Sequence, residues 1–255
     1  MTDDRQLKEN ITKVWDTAFS DYDDCYAHGI KSAGEKAAWL TFLHSVFGPE
    51  ALDVLDVGAG TGIISLLLAE LGHRVKGIDL SKNMLSVAER KARIGGFDSV
   101  RFAIGDAEDT GEAAESYDVV TNRHLVWTLP HPEKAIAEWR RALKPGGRLI
   151  IMEGNWNFPS FGDRAQIFAG KCLLSLQERQ NAFTHRGDYD AETKKALPML
   201  RRENAEALAS MVEAAGFRVQ VLPLTDVDRA EKDAMPLARR LMNPYRRIAV
   251  IGTKV

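Results

Sequence analysis

A glycine-rich turn with an acidic residue just before it is the part of this chain best suited to holding a ligand. The turn lies in VLDVGAGTG, with glycines at Gly58, Gly60 and Gly62 and with Asp56 two places before the first of them. Glycine lacks Cβ and adopts positive φ, so a bulky ligand can lie directly against such a turn. A dinucleotide-binding turn reads G-x-G-x-x-G, but Ile63 stands where its third glycine or an alanine belongs. The spacing disfavours NAD and favours an adenosine-bearing ligand with an amino-acid tail, whose amino group Asp56 would receive.

Two further acids follow the next strand-like segments. Asp79 is the penultimate residue of RVKGIDL, at the end of the second strand, and a carboxylate there can accept hydrogen bonds from both hydroxyls of a ribose. The alternative is a cap for the following helix, a role that Ser81 also suits. Asp106, in GDAED, could accept from an adenine amine while the Ala107 N–H donates to a ring nitrogen, although such pairs are also common in turns. Their register with Asp56 favours ligand binding.

The elements that must position these residues alternate in type from residue 52 onward. The predicted strands are ALDVLDV, RVKGIDL, SVRFAIG, YDVVTN and RLIIMEG, with helical segments between most of them. This alternation predicts an α/β fold with a parallel sheet and helices on both faces. The last strands, RVQVLPL and RRIAVIGTKV, are joined by polar residues without a long apolar helix, which favours an antiparallel pair.

We expect one domain over residues 1–255. Its cofactor-binding core spans 52–153, an N-terminal helical cover spans 1–48, a helical lid or substrate insertion spans 155–202, and a final helix with the antiparallel strand pair spans 203–255. The cover and the insertion are both candidates to lie over the carboxyl edge of the sheet, where ligands bind in open α/β folds.

Composition excludes several classes of protein. The 255 residues are 45% hydrophobic and 27% charged, and the net charge of −2 gives no footprint for nucleic acid or for an anionic membrane. The polar N-terminus resembles no secretion signal, and no apolar run approaches the roughly 18 residues of a membrane span. Cys25 and Cys172 stand far apart, and the histidines lack metal-binding spacing. We expect a cytoplasmic protein with no metal site; the sequence does not indicate its oligomeric state.

Taken together, the motifs resemble those of the class I S-adenosylmethionine-dependent methyltransferases. VLDVGAGTG is similar to their first motif, GIDLSKNML to the second and GDAED to the third, and residues 117–151 are similar to the fourth and fifth. The resemblance spans about 52–153 and is strongest to the small-molecule branch that includes ubiquinone- and menaquinone-biosynthesis enzymes. It implies a Rossmann-like, seven-stranded, mostly parallel sheet with an antiparallel last strand, and S-adenosylmethionine as cofactor.

The resemblance also assigns roles to individual residues. It implies that the glycine turn lines the methionine side of the cofactor, that one acid binds the ribose, and that the residues after the third strand read the adenine edge. Residues after the fourth strand would approach the methionine moiety or the substrate, and an N-terminal aromatic residue would close over the cofactor. In chain order these are Tyr22, Asp56, Gly58, Ala59, Gly60, Gly62, Asp79, Leu80, Met84, Asp106, Ala107, Asn122 and Arg123.

Methyl transfer is an in-line displacement, so the protein mainly orients the reactants and excludes water. A general base matters only when the acceptor is a hydroxyl, a thiol or a carbon acid. His124 is the best candidate base, since it follows the fourth strand at the carboxyl edge of the sheet; the alternative is a histidine bonded to its own loop.

Aromatic residues near that edge are candidates for binding the acceptor. They are Tyr26, His28, Trp127, Trp156 and Phe158, with Phe161 beside them in the sequence. They would line an apolar pocket for a small-molecule acceptor, or they pack the insertion on the sheet. Methylation of a protein or an RNA, and non-catalytic binding of S-adenosylmethionine, remain the alternative functions.

Overall fold

A single twisted sheet organises the chain in a computed structural model, which describes residues 4–26, 28–155, 161–178, 189–201, 205–244 and 246–255. The strands are β1 (Asp53–Val57), β2 (Arg74–Asp79), β3 (Val100–Ile104), β4 (Tyr117–Arg123), β5 (Leu143–Asn155), β6 (Phe217–Pro223) and β7 (Arg246–Lys254). Their order is β3-β2-β1-β4-β5-β7-β6. The carboxyl ends of β1 to β5 therefore share one edge.

The first five strands are parallel, and β7 runs antiparallel between β5 and β6. Asp56 lies beside Gly77 of β2 and Thr121 of β4, so the end of β1 is at the centre of the sheet. The prediction of a seven-stranded, mostly parallel sheet with an antiparallel last strand is confirmed.

Helices cover both faces of this sheet. They are α1 (Asp4–Ala18), α2 (Ala33–Phe47), α3 (Ile63–Glu70), α4 (Lys82–Gly95), α5 (Pro132–Ala142), α6 (Phe161–Glu178), α7 (Ala191–Ala196), α8 (Ala205–Ala214), α9 (Thr225–Ala234) and α10 (Leu237–Met242). Alternate residues of a strand face opposite layers: Leu55 packs with Trp139 of α5, while Val54 packs with Trp39 of α2. Both tryptophans are at most 1% exposed, which places a bulky anchor on each face.

Local signals determine where α4 begins and ends. The Ser81 hydroxyl accepts a hydrogen bond of 3.1 Å from the Met84 N–H, so Ser81 caps the helix, as predicted. Gly96 ends it in the left-handed conformation, with φ of 68°. The polar connection between β6 and β7 contains two short helices, α9 and α10, which the sequence interpretation did not include.

The N-terminal helices lie against different parts of the core. α1 packs on α4 and on α7 of the insertion, whereas α2 packs on α3 and α9. A small apolar cluster of Leu7, Ile11, Tyr189 and Leu197 joins α1 to the insertion. None of the helices in the described part of the chain has the length and apolar character needed to cross a membrane.

Candidate active site

The glycine turn after β1 is shaped by close packing and by positive φ. Gly58 has φ of 67°, and a Cβ there would lie 2.7 Å from Cδ1 of Leu125, so a side chain would strain the backbone and displace Leu125. Gly60 has φ of 55°, and a Cβ there would have no tight neighbour. Its N–H points at Asp79, at the end of β2. Gly62 starts α3 from the left-handed conformation. The turn thus presents bare backbone at the edge of the sheet.

Asp79 ties that turn to the end of β2. Its Oδ2 accepts from the Gly60 N–H at 2.9 Å and its Oδ1 accepts from the Ser81 N–H at 2.8 Å. Burial raises the pKa of the carboxyl group. Because Ser81 caps α4 with its own side chain, Asp79 is not needed as the cap, and each of its oxygens has a second lone pair for a ligand.

Asp56 is buried beneath the turn, with 2% of the residue exposed. The Ser65 hydroxyl donates to its Oδ2 at 2.5 Å, and burial raises its pKa to about 7. Asp56 lines a cavity of about 300 Å³ together with Ala59, Gly60 and Arg123. The donor set suits a charged ligand group: a carboxyl group and a guanidinium face one small space.

At the other end of the site, Asp106 follows β3. Its Oδ1 accepts from the Glu108 N–H at 2.9 Å, and its Oδ2 accepts from Nζ of Lys8 at 2.7 Å. Lys8 also lies 2.7 Å from the Glu108 carboxylate, so α1 is fastened over this end of the site. Sequence reasoning missed Lys8, because nothing in a single lysine of an amphipathic helix indicates a distant carboxylate.

One cavity, with about 780 Å³ of empty space that extends into open solvent, joins the glycine turn to Asp79 and Asp106. Of the predicted residues it contains Tyr22, Gly58, Gly60, Asp79, Leu80, Met84, Asp106, Ala107, Arg123 and His124. α1 adds Lys8, Ile11, Thr12 and Trp15, and the segment after β4 adds Leu125, Thr128, Leu129 and Pro130. The residues present therefore fit an adenosine-bearing ligand whose tail reaches the smaller cavity.

Residues at the end of β4 have different surroundings. Arg123 lines both cavities, donates to the His28 carbonyl and lies 5.5 Å above the Trp39 ring. Burial lowers its pKa from the ordinary value. Asn122 is fully buried and lines neither cavity, and its side-chain amide has no hydrogen-bond partner in the described part of the chain. Arg123 is thus the one of this pair that faces the ligand space.

His124 has a left-handed backbone, with φ of 57°. Its N–H donates to the Met152 carbonyl of β5 at 3.0 Å. Nδ1 of its ring lies 3.7 Å from Oε2 of Glu153, and the two side chains are 7% and 8% exposed. Glu153 was not recognised from the sequence, where it is one more acid at the end of an apolar run.

The connection between α1 and α2 brings the Tyr22 ring to both cavities, whereas His28 lines neither of them. The Tyr22 ring lies 4.4 Å from that of His28, which lies 6.3 Å from the His124 ring. Burial lowers the pKa of His28 to about 4, and the guanidinium groups of Arg123 and Arg247 act in the same direction. Tyr26 is half-buried and lines neither cavity.

Other predicted acceptor residues fall elsewhere. Trp127 packs edge-on against Trp15 at 6.0 Å and in a tilted arrangement against Tyr189 at 5.9 Å, which agrees with the alternative of packing the insertion on the core. Phe161, the first residue of α6, is 90% exposed and lines neither of the two cavities. Trp156 and Phe158 lie outside the described residues. Within those residues, no three His, Cys, Asp or Glu side chains form a metal-binding group.

Comparison with known proteins assigns the class. Residues 55–151 match the family described as methyltransferase domain. The chain is 31% identical over 209 residues to a demethylmenaquinone methyltransferase of Clavibacter sepedonicus, covering 81% of this chain and 82% of that relative. Together with the fold and the site, this shows that the chain belongs to the class I S-adenosylmethionine-dependent methyltransferases.

Further relatives narrow the class to small-molecule enzymes. A ubiquinone biosynthesis O-methyltransferase of Thiobacillus denitrificans is 34% identical over 187 residues, covering 71% of this chain and 73% of its own. A phosphoethanolamine N-methyltransferase structure from Haemonchus contortus shares the fold, with a TM-score of 0.64 and 20% identity over 94% of this chain and 58% of that one. The chain is a small-molecule methyltransferase that uses S-adenosylmethionine.

Proposed function

We propose that this enzyme methylates a small aromatic molecule that carries a hydroxyl group, such as a phenol or a hydroquinone. The observation that carries the proposal is that Asp106 and His124 line one cavity together with the aromatic side chains of Trp15 and Tyr22. Such walls suit a flat apolar ring, and an imidazole suits a hydroxyl proton. Relatives named for demethylmenaquinone and for O-methylation in ubiquinone biosynthesis support this acceptor class.

The cofactor roles follow the geometry of the two cavities. Asp106 and the Ala107 N–H would read the adenine edge, and Asp79 would accept from the ribose hydroxyls. Asp56 would receive the ammonium group of the tail, and Arg123 its carboxylate. A carboxyl group and a guanidinium group that line the same small cavity support this orientation.

S-adenosylmethionine supplies an electrophilic methyl group on a sulfonium. The chain's own residues then have three tasks: to hold the acceptor in line, to exclude water and to remove the hydroxyl proton. Trp15, Tyr22 and Leu129 would perform the first two as cavity walls, and His124 the third as general base.

Calorimetric binding of S-adenosylhomocysteine tests the cofactor site. Asp79→Ala removes the proposed ribose acceptor, and charge-assisted hydrogen bonds of this kind contribute about 1.5–3 kcal/mol, so we expect roughly 10-fold to 100-fold weaker binding. Asp98→Ala, at an exposed aspartate beyond α4, is the matched control and should bind like the wild type. Equal affinities for both variants would refute the ribose role.

An acceptor panel of catechol, hydroquinone, aniline and thiophenol tests the reaction. Methylation of the hydroxyl compounds is expected, with kcat falling roughly 10²-fold to 10⁴-fold in His124→Ala while S-adenosylhomocysteine binding is retained. Turnover of the amine or the thiol alone would contradict the acceptor class. Cofactor binding without turnover of any small molecule would instead favour a non-catalytic module.

A further inference from the structure

Glu153 is a buried carboxylate beside His124, at the end of the neighbouring strand. Only 6% of the residue is exposed. Its Oε1 accepts a 2.8 Å hydrogen bond from the Val126 N–H, two residues after His124, and its Oε2 faces Nδ1 of the His124 ring at 3.7 Å. One carboxylate therefore contacts both the backbone and the side chain of the turn after β4.

The backbone of His124 is held in a conformation that a non-glycine residue adopts at a cost. Its φ of 57° lies in the left-handed region, and residues in sparsely populated regions cost about 1–3 kcal/mol and persist where surrounding contacts require them. The contacts here are the bond from the His124 N–H to the Met152 carbonyl and the bond from the Val126 N–H to Glu153. Both partners belong to β5, which therefore fixes where the ring lies.

We propose that Glu153 is a positioning residue that sets the tautomer of His124. The carboxylate keeps a proton on Nδ1, so the lone pair resides on Nε2, which becomes the proton-accepting atom. This inference rests on the proposed role of His124 as general base. The separation of 3.7 Å is longer than a hydrogen bond, and catalytic contacts of this kind tighten when the substrate is bound.

The reaction balances with this assignment. Nε2 of His124 takes the hydroxyl proton of the acceptor, and the phenolate oxygen forms the new O–C bond. The C–S bond breaks, and its electron pair stays on sulfur. The imidazolium, stabilised by the negative charge of Glu153, later gives its proton to water, and His124 returns to its starting tautomer.

His28 cannot replace Glu153 in setting the tautomer of His124 or in stabilising its imidazolium. Its ring lies 6.3 Å from that of His124, and burial with nearby guanidinium groups lowers its pKa to about 4, so it is neutral at ordinary pH. A neutral imidazole at this distance neither holds the Nδ1 proton nor offsets the charge of an imidazolium. Glu153 is the carboxylate placed to do both.

Glu153→Gln gives a sharp test because the geometry dictates how the amide is oriented. The amide oxygen must accept from the Val126 N–H, so the NH₂ group faces Nδ1 of His124 and makes that nitrogen the acceptor. The variant should therefore move the ring proton to Nε2. NMR of isotope-labelled histidine side chains, with the His124 signals assigned by their loss in His124→Ala, reports the tautomer directly.

The matching kinetic test compares catechol with nitrocatechol, which is acidic enough to be ionised without a base. We expect kcat for catechol to fall roughly 10-fold to 100-fold in Glu153→Gln, the range seen for partners that orient metal-binding histidines, with KM and S-adenosylhomocysteine affinity nearly unchanged. The loss should shrink with nitrocatechol, which a merely structural role would not produce. Glu133→Gln, on the exposed side of α5, is the control and should match the wild type.

The outcomes separate this inference from the function on which it rests. A wild-type His124 with its proton on Nε2, or the same tautomer in Glu153→Gln, overturns the inference whatever the acceptor. Equal losses on catechol and nitrocatechol, or losses in Glu153→Gln that multiply with those of His124→Ala, also overturn it. Failure of the wild type to methylate any hydroxyl acceptor overturns the proposed acceptor class instead, and the tautomer measurement then decides the role of Glu153.

Discussion

The carboxyl group of Asp56 should release protons when the cofactor binds. Burial raises its pKa to about 7 in the ligand-free chain, and an ammonium group beside it would favour the ionised form and lower that pKa. We therefore predict that S-adenosylhomocysteine affinity rises with pH up to about 7 and levels off above it. Calorimetry in buffers of different ionisation enthalpy measures the proton released per binding event.

Asp56→Asn is the control for this titration. The variant should bind more weakly, and its affinity should no longer change across that pH range. The sign of the stability effect is opposite: a carboxyl group whose pKa is raised on folding costs stability as pH rises from its unfolded value of 3.8 towards about 7. The ligand-free variant should thus be at least as stable as the wild type in mildly alkaline buffer, and a persisting pH dependence would rule Asp56 out.

At the scale of elements, a lysine of α1 joins this helix to the segment that follows β3. Lys8 is 20% exposed and bonds both Asp106 and Glu108 at 2.7 Å. We predict that Lys8→Met speeds backbone hydrogen exchange in α1 roughly 10-fold, because local opening no longer breaks these contacts. Lys13→Met changes an exposed lysine of the same helix and should leave exchange unaltered; equal rates in both variants would show that apolar packing alone holds α1.

The connection between α1 and α2 depends on Gly29. A Cβ there would lie 1.9 Å from the Asp23 carbonyl oxygen, and Asp23 in turn accepts from the Thr61 hydroxyl at 2.6 Å and from Lys91 at 2.8 Å. We predict that Gly29→Ala displaces this connection, and with it Tyr22, and that it weakens S-adenosylhomocysteine binding by at least roughly 10-fold, about 1.4 kcal/mol.

Gly34→Ala provides the comparison for that substitution. Gly34 lies in α2, where a new Cβ would have nothing nearer than the Ser32 hydroxyl at 3.8 Å. Alanine should be neutral or stabilise the chain by about 0.5–1 kcal/mol. Thermal unfolding and calorimetry of both variants decide the matter, and similar binding by the two would mean that the connection yields without affecting the site.

Local patterns predicted the elements well and the contacts between distant elements poorly. The spacing of the glycine turn, the Ser81 cap and the stop at Gly96 are all short-range features that one segment of sequence carries. The bond from Lys8 to Asp106 joins residues 98 apart, and its partner is unreadable before the fold is known. α9 was missed because two of its three buried residues, Asp228 and Glu231, are acidic, so its buried face does not read as apolar. α10 is only six residues long, which is too short for an apolar period to show.

At the scale of the whole molecule, topology explains why the acids could be grouped from sequence, whereas the contact between Glu153 and His124 could not be predicted from it. Asp56, Asp79 and Asp106 end or follow parallel strands, and the carboxyl ends of parallel strands meet at one edge. The geometry of Glu153 depends instead on the left-handed turn at His124. The residues NRHLVW contain no glycine or proline that predicts this turn, because contacts with β5 produce it.

A buried charge cluster joins β7, at the antiparallel end of the sheet, to α9. The Arg247 side chain is 8% exposed; it bonds Asp228 at 2.8 Å, and its second nitrogen pairs with Glu231, both from α9. Arg247→Met would leave these carboxylates buried without their cation, which costs about 3–5 kcal/mol. At about 2–4 °C per kcal/mol for a chain of this size, Tm should fall by roughly 10 °C.

Arg246→Met, which changes the exposed neighbouring arginine, is the control and should lower the free energy of unfolding by less than about 0.5 kcal/mol. The loss of Tm in Arg247→Met should become smaller as pH falls, because burial raises the pKa of Asp228 and its protonation removes an uncompensated charge. Equal unfolding temperatures for the two arginine variants would contradict a stabilising role for the cluster.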